Sequence, residues 1–275
     1  MAVIRLHCSE IYEDRAIVEG VLVYGEEKHR ERLLALQEKG YCVVLVLSVL
    51  AGLDLSEEEL GEAISQCGDI DGFVNVCLQI DELSESYIAR IYARCHNEAV
   101  VIYESDRIVV RESVATDGEA FCELYQDGLV KEYIEDIGVF QRSQKDYQDY
   151  IEAYRAHQYG YYEYGMYSLV LKESNACIGR VGLEYKELGE FSGLSLGYAI
   201  IEAYRGKGYV REACKGVLKD CFEQEYSDSV LLFVDKTNKA SISVASGIGA
   251  ELIKEIFIEG RCTGVWRLSE RDKIV

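Results

Sequence analysis

The chain has 275 residues, with 29 Lys and Arg against 49 Asp and Glu, a formal charge of -20. That balance excludes a broad phosphate-neutralising face for nucleic acid and favours cationic small molecules or basic segments as partners. At 49% hydrophobic residues the chain can build a core, so global disorder is excluded. Its longest apolar stretch, residues 41–53, is too short for the roughly 18 to 20 residues of a membrane-spanning helix.

Residues 1 to about 104 alternate short apolar runs with helical periodicity. Strands are predicted at Val21–Tyr24, Cys42–Leu47, Phe73–Leu78 and Val100–Tyr103, and helices over Glu26–Lys39 and Glu82–Cys95. The first helix stops at Gly40, a residue suited to the left-handed position after a helix. The second repeats Tyr87, Ile88, Ile91, Tyr92 and Cys95 at the 3.6-residue period. This alternation predicts a small parallel α/β layer, an accessory domain over 1–105.

A different pattern starts at the alternating strand Asp106–Glu112. Helices are predicted at about 114–127, 143–158, 208–224 and 238–247. Strands are predicted at about 167–172, 176–184, 194–201, 229–234, 251–258 and 262–268. No linker rich in Gly or Ser separates the two regions, so the boundary rests on the change of pattern. The second domain is 106–275.

The ten cysteines include no C-x-x-C pair, and several fall on apolar helix or strand positions, as reduced thiols do. The N-terminal residues reach acids before an apolar run develops, so no secretory signal is expected and the chain reads as cytoplasmic. The four His residues are scattered, so no metal site is expected. Proline is absent, which leaves turn-making to 24 glycines. Asp69-Ile-Asp-Gly72 has the spacing of a phosphatase nucleophile motif but follows no buried strand, and reads as a polar turn.

The most informative segment runs from Leu196 to Phe222. A strand ends near Ile201, a loop carries Arg205-Gly206-Lys207-Gly208, and a helix follows. Val210, Ala213, Cys214, Val217, Leu218, Cys221 and Phe222 share one face of that helix, which therefore docks on a sheet. Its N-terminus offers unpaired N–H groups and a positive dipole end, glycines allow close approach, and Arg205 and Lys207 add charge. Such a turn binds a diphosphate, or is a plain glycine-containing strand-to-helix turn with a solvated basic rim. A P-loop is excluded by spacing, and a dinucleotide fingerprint by Arg211.

Arg205-Gly-Lys-Gly-Tyr-Val210 resembles the acetyl-CoA loop of the GNAT acetyltransferase superfamily. Val234–Ala250, with Asn238 and Ser241, looks like its second motif, and Arg107–Glu112 and Gly179–Glu184 extend the likeness over about 106–270. The branch resembled acetylates ribosomal-protein N-termini and some aminoglycosides. The resemblance implies an α/β fold with a mixed, mostly antiparallel sheet flanked by helices. It implies acetyl-CoA as co-substrate, no metal, and direct transfer to an amine, either a small cationic amine or a peptide N-terminus. By the same resemblance, Ala199, Ile200 and Ile201 offer strand N–H groups to the pantetheine arm and thioester. Arg205, Gly206, Lys207, Gly208, Tyr209 and Val210 hold the diphosphate. Asn238 binds pantetheine or caps the following helix, and Ser241 protonates the departing sulfur.

Glu184, at the expected end of its strand, reads either as a solvated strand-end carboxylate or as the candidate base, with Tyr198 and Glu163 behind it. The aromatic run Tyr159–Tyr167 is a candidate acceptor wall or a hydrophobic flap over the core. Three departures stand out from the resembled pattern. Val210 replaces a small residue, Ala245 replaces a Tyr found in many members, and Gly247-Ile-Gly-Ala250 reads as a loosened helix end. They motivate a second reading, an acyl-CoA-binding sensor whose first domain contacts a partner or a second copy of the chain.

Overall fold

A computed structural model describes residues 4–10, 21–46, 76–77, 85–96, 98–134, 142–258 and 260–269. The Asp69–Gly72 motif lies outside them. The chain divides into two compact units, one of residues 1–100 with 154–163, the other of 101–153 with 164–275. Among the described residues no helix is long and apolar enough to cross a membrane.

The first unit holds a four-stranded parallel sheet, β1 (Ile4–His7), β2 (Val21–Glu26), β3 (Cys42–Val46) and β4 (Val76–Cys77), in that order. Helix α1 (Arg30–Glu38) connects β2 to β3, as a parallel pair requires. All five residues of β3 are buried, the signature of a strand covered on both faces. Helix α2 (Glu85–Cys95) buries Ile88 and Ile91 against Leu22, Val44 and Val46. Residues 154–163 complete this unit. Glu163, at φ 61, forms a buried two-pronged ion pair with Arg94 on α2. Glu163 is therefore a structural anion here, not a free base.

The second unit is an eight-stranded sheet flanked by helices. Its strands are β5 (Val101–Glu104), β6 (Ile108–Arg111), β7 (Met166–Leu171), β8 (Ala176–Leu188), β9 (Phe191–Ile200), β10 (Ser229–Asp235), β11 (Glu251–Ile258) and β12 (Arg261–Ser269). The order is β11-β12-β10-β9-β8-β7-β6-β5. Strand β5 pairs with β6 and so belongs to this sheet, not to the parallel layer in which its sequence was expected.

Every neighbouring pair is antiparallel except β9 and β10, which run parallel and share the single register position Leu231↔Ser195. Beyond it the two strands part. β9 continues to Ile200 against β8 and β10 to Asp235 against β12, leaving a wedge between them. The parallel step needs a crossover, supplied by α6 (Tyr209–Glu223) after the helices α3 (Gly118–Gln126), α4 (Gly128–Tyr133) and α5 (Gln144–Tyr154). The predicted apolar face of α6 is the one it buries, through Ala213, Cys214, Val217, Leu218 and Cys221. Burial pushes the Cys221 thiol up to about 12, so it stays protonated and packs as a small hydrophobe.

The contact of α6 with the sheet is close enough to require glycine. A Cβ on Gly216 would lie 2.1 Å from Cγ of Tyr103 on β5. Gly216→Ala should therefore destabilise the fold by about 1–3 kcal/mol despite the better helix propensity of Ala. Thermal unfolding of Gly216→Ala alone and combined with Tyr103→Ala checks this, the double variant recovering part of the loss.

Helix α4 was not foreseen. It begins at Asp127, whose Oδ1 accepts from the N–H groups of Leu129 (2.9 Å) and Val130 (3.1 Å) and pairs with Arg205 Nη2 at 2.7 Å. Burial raises the Asp127 carboxyl. The Arg205 guanidinium and the two N–H groups outweigh it and hold the group below the usual carboxylate range. A depressed folded pKa contributes stability above the unfolded value of about 3.9, and that stability is lost as pH falls through the folded pKa. Asp127→Asn, which keeps the cap but cannot titrate, should flatten the loss of stability below about pH 4 in acid unfolding followed by circular dichroism.

Candidate acetyl-CoA cleft

The wedge is one side of a cleft of about 630 Å³. Its walls are the end of β9 (Tyr198, Ala199, Ile200), the loop and first turn of α6, α4 with Leu129, Val130 and Tyr133, and the start of α7 (Lys239–Gly247). Tyr133 Oη lies 3.3 Å from Thr237 Oγ1, joining α4 to the β10–α7 loop. Ligands of open parallel sheets lodge at such positions, beyond the carboxyl ends of parallel strands.

Strand β9 presents its backbone to this cleft in a fixed alternation. Ile201 N–H donates to Ile178 O at 2.9 Å, and the uninterrupted β8–β9 register turns Ala199 N–H toward β8 as well. The groups turned to the wedge are those of Ile200 and Tyr198. Of the three residues Ala199, Ile200 and Ile201, only Ile200 offers the expected free N–H, because sheet pairing uses every second one.

The loop forms the adjoining corner. Gly206 and Gly208 both adopt positive φ, 74° and 84°, which side chains disfavour. The first intrahelical bond of α6 is from Glu212 N–H to Gly208 O, so the N–H groups of Tyr209, Val210 and Arg211 have no intrahelical partner. Val210 lines the cleft beside them. The expected cations are placed differently. Arg205 is tied to Asp127 and, through Nε at 3.3 Å, to Ile200 O. Lys207 does not line the cleft; its ammonium sits 5.4 Å from the Tyr204 ring centroid. Arg211 and Lys239 line the cleft instead.

Across the wedge, Asn238 caps α7, its Oδ1 accepting from Ser241 N–H at 3.0 Å. Its amide NH₂ group then remains available to the cleft, so capping and ligand binding are compatible in one side chain. Ser241 is held at both ends of its residue, because its carbonyl accepts from Tyr198 Oη at 3.1 Å. Its own hydroxyl has no protein partner among the described residues and lines the cleft. Burial pushes the Tyr198 phenol up, and its proton is committed to Ser241 O, so Tyr198 is a positioning group and not a base.

Three further expectations are corrected. β8 runs four residues beyond Glu184, to Leu188, because it forms a long hairpin with β9. Glu184 is mid-strand, half-exposed beside Lys186 and absent from the cleft lining. In the aromatic run, Tyr159, Tyr164 and Tyr167 are buried as core residues. The end of α7 is not loose. Ala250 N–H bonds Ala245 O and Gly249 N–H bonds Ser246 O, closing the helix in a Schellman motif with Gly249 at φ 90. Ala245 is fully buried. Among the described residues no carboxylate lines the cleft and no cluster of His, Cys, Asp and Glu could hold a metal.

The sequence profile of the Acetyltransferase (GNAT) domain matches residues 107–251. A GNAT-family acetyltransferase structure from Bordetella pertussis aligns over 62% of this chain and 99% of its own, at 16% identity and TM-score 0.51. One from Bacillus anthracis covers 62% and 99%, at 20% and 0.51. RimL, a ribosomal L7/L12 α-N-protein acetyltransferase solved with coenzyme A, covers 63% and 100%, at 15% and 0.52. At these identities the likenesses speak for the fold. An uncharacterised Bacillus subtilis protein, YkkB, is 28% identical over 85 residues, 31% of this chain and 49% of its own, so the chain spans about half the length of that curated relative. The profile match runs over more than half the chain and takes in every wall of the cleft: the chain belongs to the GNAT acetyltransferase family, which supports acetyl transfer from acetyl-CoA.

Proposed function

We propose that the chain acetylates an amine, taking acetyl-CoA into the wedge between β9 and β10. The observation that carries this reading is the convergence of unpaired N–H groups on one cleft: Tyr209 to Arg211 at the helix end, and Ile200 and Tyr198 on the parted strand. These groups fit a diphosphate at one end and an amide-rich arm with a thioester carbonyl at the other. When bound, acetyl-CoA supplies an activated acetyl group and a thiol leaving group.

The chain's own residues do the rest. The Ile200 N–H polarises a carbonyl laid along β9. The Asn238 amide holds the arm against α7. The Ser241 hydroxyl, in the first turn of α7 and near its positive dipole end, gives a proton to the departing sulfur and takes up, directly or through water, the proton that the attacking nitrogen loses. With no carboxylate on the described lining, the attacking nitrogen must already be neutral. α-Amines, with pKa near 7.7–8.0, meet that condition better than lysine-like amines near 10.4. A peptide N-terminus therefore fits better than a polyamine, and a partner with an unblocked N-terminus is the substrate class.

Coenzyme A release from a panel of basic peptides, polyamines and aminoglycosides tests the activity. Tight acetyl-CoA binding with no turnover on any amine would favour the sensor reading. Ser241→Ala should lower kcat on the order of 100-fold with little change in KM for acetyl-CoA. In both proteins kcat/KM should rise with pH to a plateau set by the pKa of the acceptor, not of the enzyme. Asn238→Asp keeps the helix cap, so its unfolding midpoint should stay near wild type. Calorimetry should show weaker acetyl-CoA binding, because a carboxylate cannot donate.

A further inference from the structure

Strand β5 and the turn after it, through Asp106, precede the residues that match the acetyltransferase profile. They nonetheless meet the helix that forms the diphosphate corner. Three residues of α6 and its cap, spaced by four, lie along the β5–β6 hairpin. Gly216 packs on Tyr103, Glu212 reaches Ser105 and Arg107, and Gly208 sits beside Arg107 Nη2.

The middle contact is a built receptor. Ser105 Oγ accepts from the N–H groups of Arg107 (3.2 Å) and Ile108 (3.1 Å) and donates to Glu212 Oε1. Arg107 donates to Glu212 Oε2 through Nε at 3.0 Å and through Nη2. Its third nitrogen, Nη1, donates to Lys207 O at 3.1 Å, and its guanidinium lies 5.0 Å from the Tyr209 ring centroid.

The Lys207 contact sets the direction of the loop. The carbonyl of Lys207 and the N–H of Gly208 share one planar trans peptide and point opposite ways. Holding the carbonyl on Arg107 turns the Gly208 N–H away from the hairpin, and Gly208 lines the cleft. Glu212 is a costly choice on charge alone, since a carboxylate in the first turn opposes a bound diphosphate. Its place there is accounted for by its hold on Arg107.

We propose that Arg107 and Glu212 are positioning residues for the diphosphate of coenzyme A, forming a brace through which the β5–β6 hairpin holds the loop in its binding shape. This rests on the reading of the cleft given above.

Glu212→Gln separates a brace from a field effect. A brace predicts that coenzyme A binds on the order of ten-fold more weakly by calorimetry. A pure charge effect predicts tighter binding. Arg107→Ala and Arg107→Lys should weaken binding similarly, lysine lacking the fork that spans both partners. The double variant Arg107→Ala/Glu212→Gln should be no worse than Arg107→Ala alone. Turnover with S-acetylpantetheine, which lacks the diphosphate, should be unaffected, whereas general damage to the fold would lower it too. Binding by Glu212→Gln equal to or tighter than that of a binding-competent wild type overturns the brace and leaves the cleft reading intact. No heat from wild type with coenzyme A overturns both.

Discussion

The second unit is organised by one topological fact: a single parallel strand pair inside an antiparallel sheet. β9 is committed to β8 along its whole length, and β10 to β12. Both partners hold their strands in antiparallel ladders, so β9 and β10 meet only at Leu231 and Ser195. A pair that parts in this way leaves peptide groups without a ladder on the wall of a cleft, where they can serve a ligand. The parallel step also demands a crossover, which delivers the N-terminus of α6 to the same place. Exposed strand groups, exposed helix groups and the cleft between them are thus consequences of one change in strand direction.

Much of this was legible in the sequence. The strand and helix bounds of the second unit agree closely with the periodicities, and the face of α6 that carries Ala213, Cys214, Val217 and Leu218 was readable from its spacing. The Arg205–Val210 segment was readable because glycines at a strand-to-helix turn have a narrow set of uses. What the sequence concealed was partner choice. Arg205 and Lys207 looked like ligand cations, and only the fold shows Asp127, Ile200 O and the Tyr204 ring taking them up. Alternation along β9 was knowable, but its phase was not, so Ile201 was expected to be free. Helix α4 is short, and its one signal was Asp127 before an apolar run. Glu184 was misplaced because the hairpin extends past Leu183, the last buried residue of its strand, to Leu188.

The departures from the family pattern prove to be locally consistent. A Cβ on Gly247 would lie 2.4 Å from Arg211 Nε. The missing side chain there gives the Arg211 guanidinium a seat over the last turn of α7, with Nη2 3.5 Å from Ser243 O. A cation at a helix C-terminus is favourable. Arg211 at the start of one helix and Gly247 at the end of another are therefore two halves of one contact. Ala245, fully buried beneath this turn, leaves Ser241 to present a hydroxyl one turn earlier on α7.

The first unit carries its own lesson about order of assembly. Its parallel sheet is encoded before residue 100, yet the acid that neutralises the buried Arg94 is Glu163. A buried cation without its partner is strongly destabilising. During synthesis, α2 must wait for roughly 70 further residues, on the order of 3 to 14 s at common elongation speeds. The amino-terminal layer thus leaves the ribosome unfinished, and residues 154–163, translated after the second unit has begun, complete it.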